Sequence, residues 1–389
     1  MKKSILLLFA AFATLAASAH DFKAYGIYYN IISDTEVAVT YKGDRYNSYS
    51  NEYSGSITIP TTVTSKKYSV TSIEDYTFYN CSSLTSINIP ESVTSIGDDA
   101  FEGCSNLEHV TINCPNVGNW FSGCTSIKEV VLGEGVTSIG SSAFYNCSSL
   151  TSITIPESVT SIGSSAFSGC SSLTAINIPE GVTSIASSAF SGCTSLTSIT
   201  ISEGVTSIGK SAFWGCSSLT AITIPESVTS IGRSAFHNCS SLTTINIPED
   251  SKLTSIGESA FRGCRSLTAI TLPKSVDYIL DNAFSNCPEL TDVYCYAEEV
   301  PSTKSNAFDG SYPKYATLHV PASAINSYKD TAPWSSFGTI VCLTDEDMSI
   351  EQLTNDNSQQ TIYDLCGRRV DNPVKGGIYI VGGKKMMIK

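Results

Sequence analysis

Histidine and cysteine are the side chains best suited to hold a metal or to serve as base and nucleophile. This 389-residue sequence has four of the first and fourteen of the second. A catalytic histidine needs a partner within hydrogen-bond reach, and a zinc site needs ligands at short, fixed spacings. His20, His109, His237 and His319 lie far apart in the chain, and no nucleophile motif, zinc spacing or glycine-rich phosphate loop accompanies them. Serine is abundant because turns need it. The sequence is therefore expected not to be an enzyme, and to use no metal and no cofactor.

The cysteines carry a different message. Ten of them, Cys81, Cys104, Cys124, Cys147, Cys170, Cys193, Cys216, Cys239, Cys264 and Cys287, lie 23 residues apart in seven of nine intervals. The exceptions are 20 residues from Cys104 to Cys124 and 25 from Cys239 to Cys264. Overlaying the copies gives C-x-S-L-T-x-I-x-I-P-E-x-V-T-S-I-G-x-x-A-F-x-x. A period of this length with Leu and Ile at fixed offsets is that of leucine-rich repeats. An interior member of such a column has two equivalent neighbours and so no unique disulfide partner, which predicts buried, mostly reduced thiols. Cys114, Cys295, Cys342 and Cys366 fall outside the column, without an assignable partner.

One copy shows how the residues must be positioned. Leu150, Ile153 and Ile155 form a short strand closed by Pro156, since proline cannot donate to a ladder. Val159 and Ile162 make a second apolar arm, and Gly163 is read as permitting a tight bend. Ser164-Ser165-Ala166-Phe167 is read as one short helical or 3₁₀ turn. One rung cannot offset its own backbone ordering, so rungs must stack and share their apolar faces. The expected fold is a right-handed, curved leucine-rich-repeat solenoid of about ten 23-residue rungs, with strands paired at about 4.8 Å.

The start of the chain, Lys2-Lys3 followed by an apolar run and Ala17-Ser18-Ala19, reads as a secretory signal peptide over 1–19. Residues 20–72 alternate apolar segments with polar turns and read as an N-terminal β cap. Repeats follow over 73–290. Residues 291–342 read as a C-terminal cap of strand, helix and strand, 343–360 as an acidic linker, and 361–389 as a small β unit with a Gly382-Gly383 hairpin signal. The net charge of −13 excludes a nucleic-acid partner that needs a basic face, although 361–389 alone carry +4. After the first segment no apolar run reaches the roughly 20 residues of a transmembrane helix.

With these features in place, residues 73–310 resemble the BspA-like leucine-rich-repeat surface proteins of bacteria, which share the L-x-x-I-x-I-P and A-F-x-x-C elements. The resemblance implies a non-catalytic extracellular recognition or adhesion module that engages host matrix proteins or other cells. The tail YDLCGRRVDNPVKGGIYIVGGKKMMIK is similar to the C-terminal sorting domain of type IX secretion cargo. That similarity implies export to the outer surface or the medium, with peripheral attachment through a processed tail.

Candidate binding residues stand out against the repeat. Strand positions facing outward are small in most copies, such as Ser152 and Thr154 or Ala175 and Asn177. Around the 20-residue copy, INCPNVGNWFSG, they become Glu108 and His109 on one strand and Lys128 and Glu129 on the next, while Trp120 replaces an alanine. Mixed charge beside a large aromatic makes this the first candidate site, although Trp120 equally suits the volume left by a shortened arm. The position after the repeat phenylalanine varies most, with Tyr145, Trp214, His237 and Arg262, and forms a second candidate edge, with packing against the next rung as its alternative. Glu134, Glu157, Glu180, Glu203, Glu226 and Glu249 recur after the strands as an acidic column that is either a cation site or a solvated edge. The expected partner is an extracellular protein or glycoprotein. The alternatives are a passive or self-associating surface component and a glycan- or ice-binding face, the last weakened by the lack of a strict T-x-T pattern.

Overall fold

A computed structural model describes residues 20–344, apart from 44, 47–50 and 64–66, and adds four short strands beyond 350 by their backbone pairing. The expected signal peptide and Cys366 lie outside the described residues. The chain divides into two compact units between Leu107 and Glu108.

In the first unit the apolar segments form strands. Phe22–Ala24, Ile27–Ile31 and Glu36–Thr40 run antiparallel in sequence, and Glu36–Thr40 pairs parallel with Tyr68–Ile73. Tyr68–Ile73 then pairs parallel with Ser95–Ile96, Ile73 opposite Ile96, which is already the 23-residue step. Tyr29, Val37, Val39, Tyr53, Val70, Phe78 and Phe101 form the core. Tyr53 is buried whole because its hydroxyl donates to the Thr40 carbonyl and accepts from the Tyr28 N–H.

The second unit is a β-solenoid. Its first arms pair in parallel, with Val130 opposite Ile153 and Ile176 opposite Ile199. Its second arms do the same, from Ile139 opposite Ile162 to Ile256 opposite Ile279. Each strand is two to four residues long because inward Ile or Val must alternate with solvent-facing Ser, Thr or Ala before proline or a turn ends it. Inside, Phe144, Phe167, Phe190 and Phe213 stack with centroids 5.5 Å apart. Each such buried ring contributes on the order of 1.5–3 kcal/mol, realised only against its neighbours.

The third arm differs from the expected helical turn. Ser165 has φ 58°, and Ser142, Ser188, Ser211, Ser234 and Ser259 share that left-handed conformation, so the segment is a chain of turns. A right-handed helical residue cannot take that place. Gly163 has a different role as well. A Cβ there would lie 2.4 Å from the Ser141 nitrogen and 2.6 Å from the Gly140 carbonyl carbon, so glycine is required by the close approach of the preceding rung.

The cysteine column is free and buried. Each thiol also has a partner, which hydrophobic packing alone does not supply. Cys147, Cys170, Cys193, Cys216 and Cys239 donate to the carbonyls of Phe121, Phe144, Phe167, Phe190 and Phe213 at 3.1–3.2 Å. Burial pushes the thiols of Cys170, Cys216 and Cys287 up to about 12.

In the 20-residue rung, Asn116–Val117 keeps the second arm by pairing with Ser138–Ile139. Buried Cys114 precedes that arm as fully buried Val159 precedes Ser161–Ile162, so it fills the valine's place in the core. The phenylalanine stack widens here to 6.1 Å between Phe121 and Phe144.

After the repeats, Asp292–Cys295, Thr317–Val320 and Thr339–Cys342 add parallel strands. The helix Ile325–Asp330 buries Tyr328, whose hydroxyl lies 3.1 Å from Cys295 Sγ and donates to the Ala297 carbonyl. Within the stretch expected as a linker, Glu351–Leu353 is a strand parallel to Lys384–Ile388. Ile378–Val381 and Lys384–Ile388 are antiparallel, with Val381 opposite Lys384.

Candidate functional site

Four of the five residues singled out around the short rung come together. His109–Ile112 and Glu129–Leu132 pair in parallel with His109 opposite Glu129, which places Glu108 and Lys128 side by side at the strand entrances. Lys128 Nζ lies 2.8 Å from Glu108 Oε1, and His109 Nδ1 lies 3.1 Å from Glu129 Oε2. Glu108 Oε2 is 3.9 Å from the other imidazole nitrogen, so the four side chains form one chain of contacts. They remain between 40% and 59% exposed. The hydrogen bond from Lys128 holds the Glu108 carboxyl below its ordinary value. Exposed ion pairs of this kind add little stability, so the group is available for contact at small cost to the fold.

Beside the quartet lies a hollow of about 160 Å³ lined by Glu129, Val131, Ser152 and Thr154. Val131 is 48% exposed and places an apolar patch next to the charges. Val131 is not among the residues expected from the sequence, although a valine where neighbouring copies carry threonine or asparagine is the signal for it.

Trp120 does not join this group. It sits on the third arm, half-buried, edge-on to Phe121 at 6.5 Å. A Cβ on Gly118 would meet its indole nitrogen at 2.5 Å, so the ring lies directly over the glycine backbone.

Along the remaining strand face, Ser152, Thr154, Ala175, Asn177, Ser198 and Thr200 are exposed as expected. Threonines at the strand entrances are committed to the fold: Thr174 and Thr197 donate to the carbonyls of Thr151 and Thr174 in the preceding rung. Glu134, Glu157, Glu180, Glu203 and Glu226 stand exposed, and Glu249 is half-buried.

On the second edge, Tyr145 and Trp214 are 39% and 44% exposed and Arg262 is exposed, whereas His237 is partly covered. The Trp214 and His237 rings stack at 6.4 Å. Burial, and secondarily the Arg262 cation, holds the His237 imidazole below its ordinary value, which favours the neutral ring. At the far end of the sheet His319 Nε2 is 3.0 Å from Asp292 Oδ1, but the Thr291 hydroxyl donates to the aspartate rather than facing the imidazole. That order of groups does not make an acyl-transfer relay, in which the nucleophile must face the imidazole. Among the described residues no three His, Cys, Asp or Glu side chains converge as a metal site requires.

The repeat profile described as BspA type leucine rich repeat region matches residues 45–148, 117–239 and 206–331, in six copies. The chain belongs to the BspA-type leucine-rich-repeat family. In this BspA-type chain the matched segments span the solenoid rungs and reach into the cap helix. No curated protein matches it. Among solved structures it is similar to a leucine-rich repeat protein from Bacteroides ovatus, at 25% identity over 84% of this chain and 100% of that one, with a TM-score of 0.37. It is also similar to a leucine rich cell surface protein from Faecalibacterium prausnitzii, at 26% identity over 83% and 94%, TM-score 0.36. The pneumococcal vaccine antigen PcpA matches at 16% identity over 85% and 99%, TM-score 0.40. Among the described residues no helix of this BspA-type chain is long and apolar enough to cross a membrane.

Proposed function

We propose that the protein is an exported recognition module, displayed on the outer cell surface or released, that holds an extracellular protein or glycoprotein on its exposed strand face. The quartet Glu108, His109, Lys128 and Glu129, with Val131 beside it, is the contact site. The observation that carries this reading is its exposure and mixed charge next to rungs whose outward strand residues are small. A large partner has little to grip on such a face except where charge and apolar surface coincide. Membership of the BspA-type family supports a scaffold built for contact rather than catalysis, and the signal-like start and sorting-like tail support export.

The test is a binding screen of the full chain against immobilised extracellular-matrix glycoproteins, with light scattering in parallel. A salt-sensitive interaction with at least one glycoprotein by a monomeric chain is expected. Mass that grows with concentration and no glycoprotein binding would favour a self-associating surface component instead. Deletion of residues 361–389 is expected to abolish surface display, and unchanged display would remove the sorting role.

A further inference from the structure

We propose that the C-terminal cap carries a separate binding site for a neutral oligosaccharide, in the hollow between the Tyr312 loop and the segment around Pro333. The hollow is about 490 Å³, within the range of small-molecule sites. It is independent of the strand-face quartet.

Its floor is rigid and apolar. Phe308, the last ring of the phenylalanine stack, is held edge-on by Trp334 at 5.6 Å and by Phe337 at 5.3 Å. The rim is aromatic: Tyr312 lines the hollow and is 54% exposed. Its backbone is left-handed, at φ 50° and ψ 54°, a conformation that a tyrosine keeps only where its surroundings enforce it. Proline rings at 313 and 333 complete the wall without adding mobile side chains.

The polar groups of the hollow select the ligand. Threonine hydroxyls along the repeats are spent on rung-to-rung bonds, as at Thr174 and Thr197. By contrast, the Asp309 carboxylate and the Ser305 hydroxyl, both lining the hollow, make no side-chain hydrogen bond among the described residues. A purely apolar ligand would bury them unpaired, which is costly. A proline-rich peptide would suit the aromatic rim, but it brings few N–H donors for Asp309. Charge does not favour an ion, because the lining carries one carboxylate, Asp309, and one ammonium, Lys314, the latter drawn over the Tyr315 ring at 4.7 Å. A sugar ring meets every requirement: a C–H face for the exposed Tyr312 ring, hydroxyl donors for Asp309, and no net charge.

Saturation-transfer NMR on the full chain, with maltotriose, cellotriose and triacetylchitotriose each at millimolar concentration, tests the assignment. Transfer to at least one trisaccharide is expected. Tyr312→Ala and Asp309→Asn should each weaken it about tenfold with the melting temperature unchanged, while Trp214→Ala should leave it alone. The proposal is overturned by no transfer to any of the three. Equal transfer in both cap variants, or a decaproline peptide that displaces the sugars and binds in the hollow more tightly than they do, would overturn it too.

Discussion

The Cys170 thiol donates a hydrogen bond to the Phe144 carbonyl at 3.1 Å, one rung back in the solenoid. The same oxygen accepts the Cys147 N–H of its own rung at 3.2 Å. A carbonyl has two lone pairs, and in a dry core the second would otherwise go unused. Cysteine suits the position because it combines small volume, apolar character and one weak donor.

If that donor matters, Cys170→Ala should lower the unfolding free energy by about 1–2 kcal/mol, and Cys170→Ser, which keeps a donor, by less. Urea midpoints of the three proteins decide it. A loss for serine equal to or larger than that for alanine would leave the thiol as a space-filler.

The same column sets an alkaline limit. Thiols that titrate near 9 when unfolded are raised to about 12 at Cys170, Cys216 and Cys287, because burial disfavours the thiolate. Above pH 9 the unfolded chain therefore binds fewer protons than the folded one, and stability falls as pH rises. Chemical denaturation at intervals from pH 7 to 11 should show a plateau and then a steep multi-proton decline. A flat profile across that window would contradict buried neutral thiols. Native protein at pH 8 should also resist alkylation at the column.

Two neighbouring residues should respond oppositely to substitution. Gly163→Ala drives a methyl into the backbone of the preceding rung and should cost about 1–3 kcal/mol. Ser165→Gly relieves a left-handed serine and should leave stability unchanged or raise it by up to about 1 kcal/mol. Thermal unfolding of both variants separates a close-approach glycine from a bend glycine.

At the quartet, the Glu108 carboxyl is held low chiefly by the Lys128 hydrogen bond. Its contribution to stability is present above the ordinary carboxylate range and is lost as pH falls through the depressed value. Carbon-detected NMR titration should find Glu108 titrating below the ordinary carboxylate value, and Lys128→Ala should bring it back up. The melting temperature should barely move, because the pair is exposed.

Much of this architecture was legible in one copy of the repeat. Leu150, Ile153 and Val159 announce the two arms because strand alternation and a fixed period leave few other ways to bury them. The third arm was not legible, because Ser165 is compatible with a helical turn and with a left-handed one; only the stacking of rungs decides between them. For Gly163 the decisive neighbour belongs to the previous copy, which a reading of one copy does not include. At the site, Glu108, His109, Lys128 and Glu129 could be aligned from the period alone, since strand register follows from it. Trp120 was grouped with them by chain proximity, yet it is carried on a different arm. Cys114 could have been recognised as a core residue by laying it over Val159.

The strand face itself is tested most directly by exchanging one pair of charges. Glu108→Lys combined with Lys128→Glu keeps the ion pair and the net charge but inverts the pattern offered to a partner. Against the glycoprotein recovered in the binding screen, surface plasmon resonance should report at least about tenfold weaker affinity for the exchanged protein, with an unchanged melting temperature. Equal affinity of the exchanged and original proteins would place the contact elsewhere and contradict the assignment of the quartet.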